Sequence, residues 1–136
     1  ALGWVAMVSF GAIYCLVPWL WKRKALYSLK LVEWHFWVST LGILLYITAM
    51  WVSGILQGLM WRAYDKLGFL TYSFVETVEA MHPFYIIRAI GGLLFVVGSL
   101  IMAYNMWRTI RGDEPVDAKD QPRVAAAPEL RPQAAE

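Results

Sequence analysis

Three long, almost uncharged blocks organise this chain. No charged residue occurs from Ala1 to Trp21, and Lys22-Arg23-Lys24 follow at once. As a helix, that first block rises about 32 Å, enough to cross a hydrocarbon core of about 30 Å. The second block runs from Phe36 to Trp61, with Glu33 and His35 before it and Arg62 after it. The third runs from Pro83 to Trp107, is interrupted only by Arg88, and ends at Arg108 and Arg111. Pro83 suits the first turn of a helix, where its missing N–H costs nothing. The pattern predicts three transmembrane helices at about residues 1–21, 36–61 and 83–107. Residues 63–81 mix aromatic, polar and acidic side chains, which predicts an ordered interfacial loop with a short helix.

Composition agrees with that reading. Hydrophobic residues make up 60% of the chain and charged residues 16%, against roughly 45–50% and about 25% in soluble domains. A soluble enzyme, a nucleic-acid binder and a disordered protein are thereby disfavoured. The net charge of +2 gives no electrostatic footprint for DNA or RNA. Eight Trp and seven Tyr fit the aromatic belts of a membrane protein. The single cysteine, Cys15, excludes an internal disulfide and a thiolate metal cluster. The expected class is an all-α integral membrane chain with three transmembrane helices over residues 1–112.

Lys and Arg set the expected orientation. Lys22, Arg23, Lys24, Lys30, Arg108 and Arg111 fall on one side, and only Arg62 and Lys66 on the other. The positive-inside rule places the first loop and the C-terminus in the cytoplasm and the second loop outside. A secretory signal peptide would carry its positive charge ahead of the apolar run, not after it. We expect the chain to be the end of a longer one. Beyond Gly112 the composition changes: residues 113–136 hold four of the six prolines and six acidic against three basic residues. Such a segment buries too little apolar area to offset its ordering entropy and is expected to be a disordered cytoplasmic tail.

Arg88 is the most informative single residue. It is expected about one turn into the third span, where a charge is costly unless paired or hydrated. It could hold an anionic group of a cofactor or substrate. Alternatively it snorkels to the headgroups or pairs with Glu79. Glu79 and His82 have the spacing of a carboxylate–histidine metal pair, but di-iron bundles need two such pairs and two further carboxylates. His82 is read instead as marking the start of the third helix, and His35 as interfacial. Gly54-Ile-Leu-Gln-Gly58 is a small-xxx-small motif that suggests close helix packing, as do Gly91, Gly92 and Gly98. No Walker loop, dinucleotide fingerprint or Ser-His-Asp arrangement is present. From the residues alone, the chain reads as part of a larger membrane assembly.

Several strings resemble the catalytic subunit of the cbb3-type cytochrome c oxidases, in the haem-copper oxidase superfamily. They are Ala1-Leu-Gly-Trp4, Glu33-Trp-His-Phe-Trp37 with Leu41-Gly-Ile43, and Ser53-Gly54 leading to Gln57-Gly-Leu-Met-Trp-Arg-Ala63. Tyr72-Ser-Phe-Val-Glu-Thr-Val-Glu-Ala-Met-His-Pro-Phe-Tyr85, Arg88-Ala-Ile-Gly-Gly92 and Met102-Ala-Tyr-Asn105 continue the series. In order and at compatible spacing, they cover roughly residues 1–111.

The resemblance implies the tenth to twelfth helices of a twelve-helix bundle, at the C-terminal end of the subunit. The full subunit would hold low-spin and high-spin haem b and copper. The histidines that ligate them in the family are missing here, so no catalytic or metal-ligating residue is expected in this segment. Haem ligands in the superfamily lie towards the outer face, the depth expected for Arg88 and for Trp61-Arg62. Arg88 first and Arg62 second, with Trp61, are the expected contacts to haem propionates. Glu76, Glu79 and His82 would lie near the outer mouth, where pumped protons leave. The whole enzyme would take electrons from c-type cytochrome subunits, reduce dioxygen to water and pump protons in the bacterial inner membrane. Nitric oxide reductases share a similar bundle. The competing reading is a non-catalytic three-helix accessory or assembly protein. In either case the expected partners are membrane lipid and other chains or the remainder of the subunit, with no nucleic acid.

Overall fold

The computed structural model describes residues 2–117. A π-helical segment, Leu2–Ala6, leads directly into α1 (Met7–Leu20), followed by α2 (Leu29–Met60) and α3 (Phe74–Arg111). α1 together with the π-helical turn before it (Gly3–Leu20), α2 and α3 are each long and apolar enough to cross a membrane. Among the described residues the only β pairing is an isolated bridge between Tyr64 and Leu70. The fold class expected from the sequence is therefore observed. The tail from residue 118 onward lies outside the described residues.

Two helix boundaries differ from expectation. α2 begins at Leu29, seven residues before the uncharged block. α3 begins at Phe74, nine residues before Pro83, and passes through that proline. The reason is local. Ser73 and Glu76 form a reciprocal capping box: the Ser73 N–H donates to Glu76 Oε2 (2.7 Å) and the Glu76 N–H to Ser73 Oγ (3.3 Å). That cap starts the helix ahead of the apolar run. Pro83 withholds only the bond that its N–H would give the Glu79 carbonyl, and the helix continues. The interfacial helix and the third span are thus one element, and His82 lies inside it.

The described residues divide into two compact units, residues 2–35 with 100–117, and residues 36–99. α2 and α3 each contribute a segment to both. In the second unit the two helices run antiparallel and meet backbone to backbone. A Cβ added to Gly42 would come within 2.6 Å of the Gly91 carbonyl oxygen, and one added to Gly91 within 2.7 Å of the Gly42 carbonyl oxygen. A Cβ at Gly98 would collide with the Ser39 side chain. At Gly54, Gly58 and Gly92, by contrast, an added methyl group would meet nothing within 4 Å. The packing glycines of this pair are Gly42, Gly91 and Gly98. The expected role of Gly54 and Gly58 in close packing is not seen within the chain.

In the first unit, polar groups hold the α1–α2 loop to the end of α3. Asn105 is fully buried. Its Oδ1 accepts from the Ser28 N–H (3.2 Å) and its Nδ2 donates to the Ser28 carbonyl (3.0 Å). One side chain thereby satisfies both backbone groups of a buried loop residue. Thr109 Oγ1 accepts from the Tyr27 N–H, and Arg23 Nη2 donates to the Ile110 carbonyl. α3 closes with Gly112 at φ 83°, the Gly112 N–H on Thr109 and the Asp113 N–H on Arg108, the pattern of a Schellman cap. α1 closes the same way at Lys22, φ 52°, with bonds to Trp19 and Pro18. Contacts continue past the expected tail boundary at 113. Arg108 pairs with Asp113, the Val116 N–H donates to the Tyr27 carbonyl, and Ser28 Oγ donates to Asp117.

Burial is inverted relative to a soluble protein. The buried hydrophobic residues are Ile43, Ala49, Met81 and Met106, whereas Ser28, His35, Ser39, Thr77, Asn105 and Thr109 are buried polar residues. Small and polar side chains, with a few apolar ones, join the helices, and most of the large apolar ones face outward. Replacing Gly91 by Val should drive α2 and α3 apart. A loss of roughly 1–3 kcal/mol is expected from overpacking, read as a lower thermal midpoint of the full membrane complex. Gly11→Ala, at a position with nothing within 4 Å, should leave that midpoint unchanged or raise it.

Candidate functional site

Arg88 is placed by α3, which begins well ahead of the apolar run. It lies fourteen residues beyond Phe74, about 21 Å along the helix axis, and five residues beyond Pro83, where the apolar run begins. Its Nη1 approaches Met50 Sδ at 3.5 Å, and its guanidinium carbon stands 5.2 Å from the centre of the Tyr85 ring. The ion pair seen among the described residues is Arg108–Asp113, and none involves Arg88. Glu79 cannot serve, because nine helical residues separate it from Arg88 by about 13 Å along α3. The expected alternative of a Glu79–Arg88 pair is therefore corrected by the continuity of the helix.

The surface around Arg88 is thin. Gly54 stands one turn beyond Met50 on α2, and Gly92 one turn beyond Arg88 on α3. Neither has a neighbour that a methyl group would touch. A partly exposed cation flanked by bare backbone can admit a flat, anionic group at close range. A separate groove of about 250 Å³, lined by residues including Leu41, Leu45, Val52, Phe84 and Ile87, is almost wholly apolar and offers no such group.

Trp61 and Arg62 follow the last residue of α2 and are both exposed. The turn there is held by the Trp61 N–H on Gln57, the Arg62 N–H on Leu59 and the Ala63 N–H on Met60. Ten residues of α2, about 15 Å, separate Met50 from Met60. Arg88, set against Met50, and Trp61-Arg62 are therefore about 15 Å apart along the α2 axis, and one small anionic group cannot be held by both. Beyond them the loop closes on itself. The Thr71 N–H reaches the Ala63 carbonyl, and Asp65 Oδ1 accepts from the Leu67 and Phe69 N–H groups. Gly68 takes φ 84° in the turn.

The three residues expected at the outer mouth fall on the first turns of α3. Glu76 is committed to the cap at Ser73. Glu79 is exposed. His82 Nδ1 lies 3.3 Å from the Val78 carbonyl oxygen, and its ring is edge-on to Tyr85 at 6.1 Å. No group of three or more metal-binding side chains is found among the described residues. The capping box escaped the reading of the sequence although its signal, Ser73-x-x-Glu76, is plain. His35 is also corrected: it is 2% exposed, with Nδ1 bonded to the Tyr14 hydroxyl at 2.9 Å and Phe10 edge-on at 4.8 Å. Nothing in its neighbourhood along the sequence pointed to Tyr14, which arrives from another helix.

Comparison with known proteins adds what this geometry alone does not name. The family model described as cytochrome c and quinol oxidase polypeptide I matches residues 1–94. The chain belongs to this family. It is 74% identical over 128 residues to "cytochrome c oxidase subunit 1 homolog, bacteroid" of Bradyrhizobium diazoefficiens, covering 94% of this chain and 23% of that protein. It is 71% identical over 126 residues to a "cytochrome c oxidase subunit 1 homolog" of Azorhizobium caulinodans, covering 93% and 22%. It is 53% identical over 125 residues to the "cbb3-type cytochrome c oxidase subunit CcoN1" of Stutzerimonas stutzeri, covering 92% and 26%. This oxidase segment spans about a quarter of the length of those relatives. The family match supports an oxidase subunit segment over an accessory protein. A position at the C-terminal end of the subunit rests on the sequence resemblance alone.

Replacing Ser73 by Ala should remove the cap that sets the start of α3. A loss of about 1 kcal/mol is expected, seen as roughly fivefold faster amide exchange at residues 74–77 in the full subunit. Unchanged exchange would mean that the helix start is held by something else.

Proposed function

We propose that this segment belongs to the catalytic subunit of a cbb3-type terminal oxidase. That enzyme oxidises a c-type cytochrome, reduces dioxygen to water and pumps protons across the bacterial cytoplasmic membrane. The observation that carries the reading is the match to a cbb3-type subunit over 92% of this chain. The remainder of the subunit would supply the axial ligands of low-spin and high-spin haem b and the copper ligands. The c-type cytochrome subunits would deliver electrons. The charge asymmetry supports an orientation with Lys22, Lys24 and Arg111 on the cytoplasmic side.

Within that enzyme, Arg88 would hold a haem propionate. Its lack of an acidic partner among the described residues and the bare backbone at Gly54 and Gly92 fit a flat group with a carboxylate edge. The haem would supply the one-electron chemistry. Arg88 would fix the carboxylate by charge-assisted hydrogen bonds and keep its negative charge compensated away from water. Met50 packs against the guanidinium and limits where it can swing. Trp61 and Arg62, some 15 Å further along α2, would meet a different anionic group. Glu79 and His82, on one face of α3, would receive protons at the outer mouth, while Glu76 holds the helix start.

Arg88→Gln removes the charge and keeps a polar side chain. In the full oxidase, one haem midpoint potential should fall, because a nearby cation favours the reduced form. A unit charge at about 10 Å and an effective dielectric of about 20 corresponds to about 1.7 kcal/mol, or several tens of millivolts. Unchanged potentials and spectra would leave Arg88 as a residue that only reaches towards the headgroups. Glu79→Gln should lower the number of protons pumped per electron without altering haem spectra. Pumping at the wild-type ratio would remove Glu79 from the exit route.

A further inference from the structure

Six basic residues gather where α1 and α3 end and α2 begins, and the structure divides them into two sets. Arg23 and Arg108 are used within the fold. Arg23 donates to the Ile110 carbonyl at 2.6 Å and lies against Gly112. Arg108 pairs with Asp113 and stacks 4.6 Å from the centre of the Tyr27 ring. Lys22, Lys24, Lys30 and Arg111 are exposed and take no part in the ion pair among the described residues. The acids nearby are Asp113 and Asp117, bonded to Arg108 and Ser28, and Glu33 and Glu114, which are exposed. Four free cations against two free carboxylates leave a local excess of two positive charges among the described residues.

The free cations are held in place by the set that is not free. Arg23, bonded to the last turn of α3, ties its sequence neighbours Lys22 and Lys24 to the helix end that carries Arg111. Lys22 is further held by the Schellman closure of α1. The Arg23 guanidinium also covers a carbonyl at the C-terminus of α3, whose partial negative charge would otherwise oppose an anion. A second, independent feature marks the level of the membrane surface. Trp19 and Trp21 adjoin Lys22, Trp34 is one turn from Lys30, and Trp107 lies under Arg111 at 4.3 Å. All four tryptophans are 47–64% exposed, as expected of rings seated at the headgroup level.

We propose that Lys22, Lys24, Lys30 and Arg111 form a binding site for the phosphate of an anionic phospholipid, with the tryptophans flanking its glycerol region. Residues 118–136 are a poor rival for the site, because they carry three acidic and three basic residues. The inference does not depend on the role of Arg88.

The test uses the full oxidase reconstituted in phosphatidylcholine with spin-labelled phosphatidylglycerol or spin-labelled phosphatidylcholine as the probe. The wild type should retain the anionic probe over the neutral one, and that preference should shrink as salt rises. Lys22→Gln with Lys24→Gln and Arg111→Gln should cut the preference by about fivefold per charge removed. Lys66→Gln, in the other loop, and truncation after Asp117 should leave it intact. If the triple variant fails to assemble, the wild-type salt titration decides. No preference in the wild type, a preference indifferent to salt, or equal losses in the Lys66 variant would overturn the proposal. Loss on truncation would overturn it too, by assigning the anionic preference to the tail.

Discussion

The backbone contact between Gly42 and Gly91 is the constraint on which the rest of the 36–99 unit depends. Two antiparallel helices approach until carbonyl oxygens lie where methyl groups would stand. That approach fixes the register of α2 against α3, sets Gly98 over Ser39, and puts Arg88 opposite Met50. Dispersion between backbones and short-range polar contacts replace the apolar core that a water-soluble pair would need. The site follows from this register. A slip of one turn would move Arg88 by about 5.4 Å and carry the guanidinium away from Met50.

The unit of residues 2–35 and 100–117 works through hydrogen bonds instead. Asn105 acts as a substitute peptide for Ser28, completing both of its backbone bonds in a buried setting. Removing its amide would leave two buried backbone groups unpaired, at about 1–3 kcal/mol each. Thr109, Arg23 and Asp117 extend the same arrangement. The loop between α1 and α2 is therefore bound tightly despite having almost no apolar core. Those bonds engage Arg23 inside the fold while Lys22 and Lys24 beside it stay exposed.

Both units follow the same rule of burial. Among the described residues, interior positions go mainly to small or polar residues with a few apolar ones such as Ile43, Met81 and Met106, and most Trp and Leu side chains face outward. An isolated soluble domain could not persist with that surface. A membrane segment packed among further helices can, because lipid or neighbouring helices cover the exposed apolar area.

The order of residues was enough to establish that three helices are long and apolar enough to cross a membrane, because a low-dielectric interior demands long uncharged runs and leaves few alternatives. It was also enough to reach the family, through strings such as Glu33-Trp-His-Phe-Trp37 and Gln57-Gly-Leu-Met-Trp-Arg-Ala63. The start of α3 was legible in Ser73-x-x-Glu76 but was outweighed by Pro83 and the edge of the apolar block. Hydropathy marks where the membrane begins, not where hydrogen bonding begins. Which glycines touch emerged only from the packed helices, since Gly42, Gly54, Gly91 and Gly92 all lie in similar apolar runs. The same holds for the meeting of Tyr14 with His35, of Asn105 with Ser28, and of Arg88 with Met50. Those facts depend on the register between helices distant in sequence, and a one-dimensional pattern carries no information about that register.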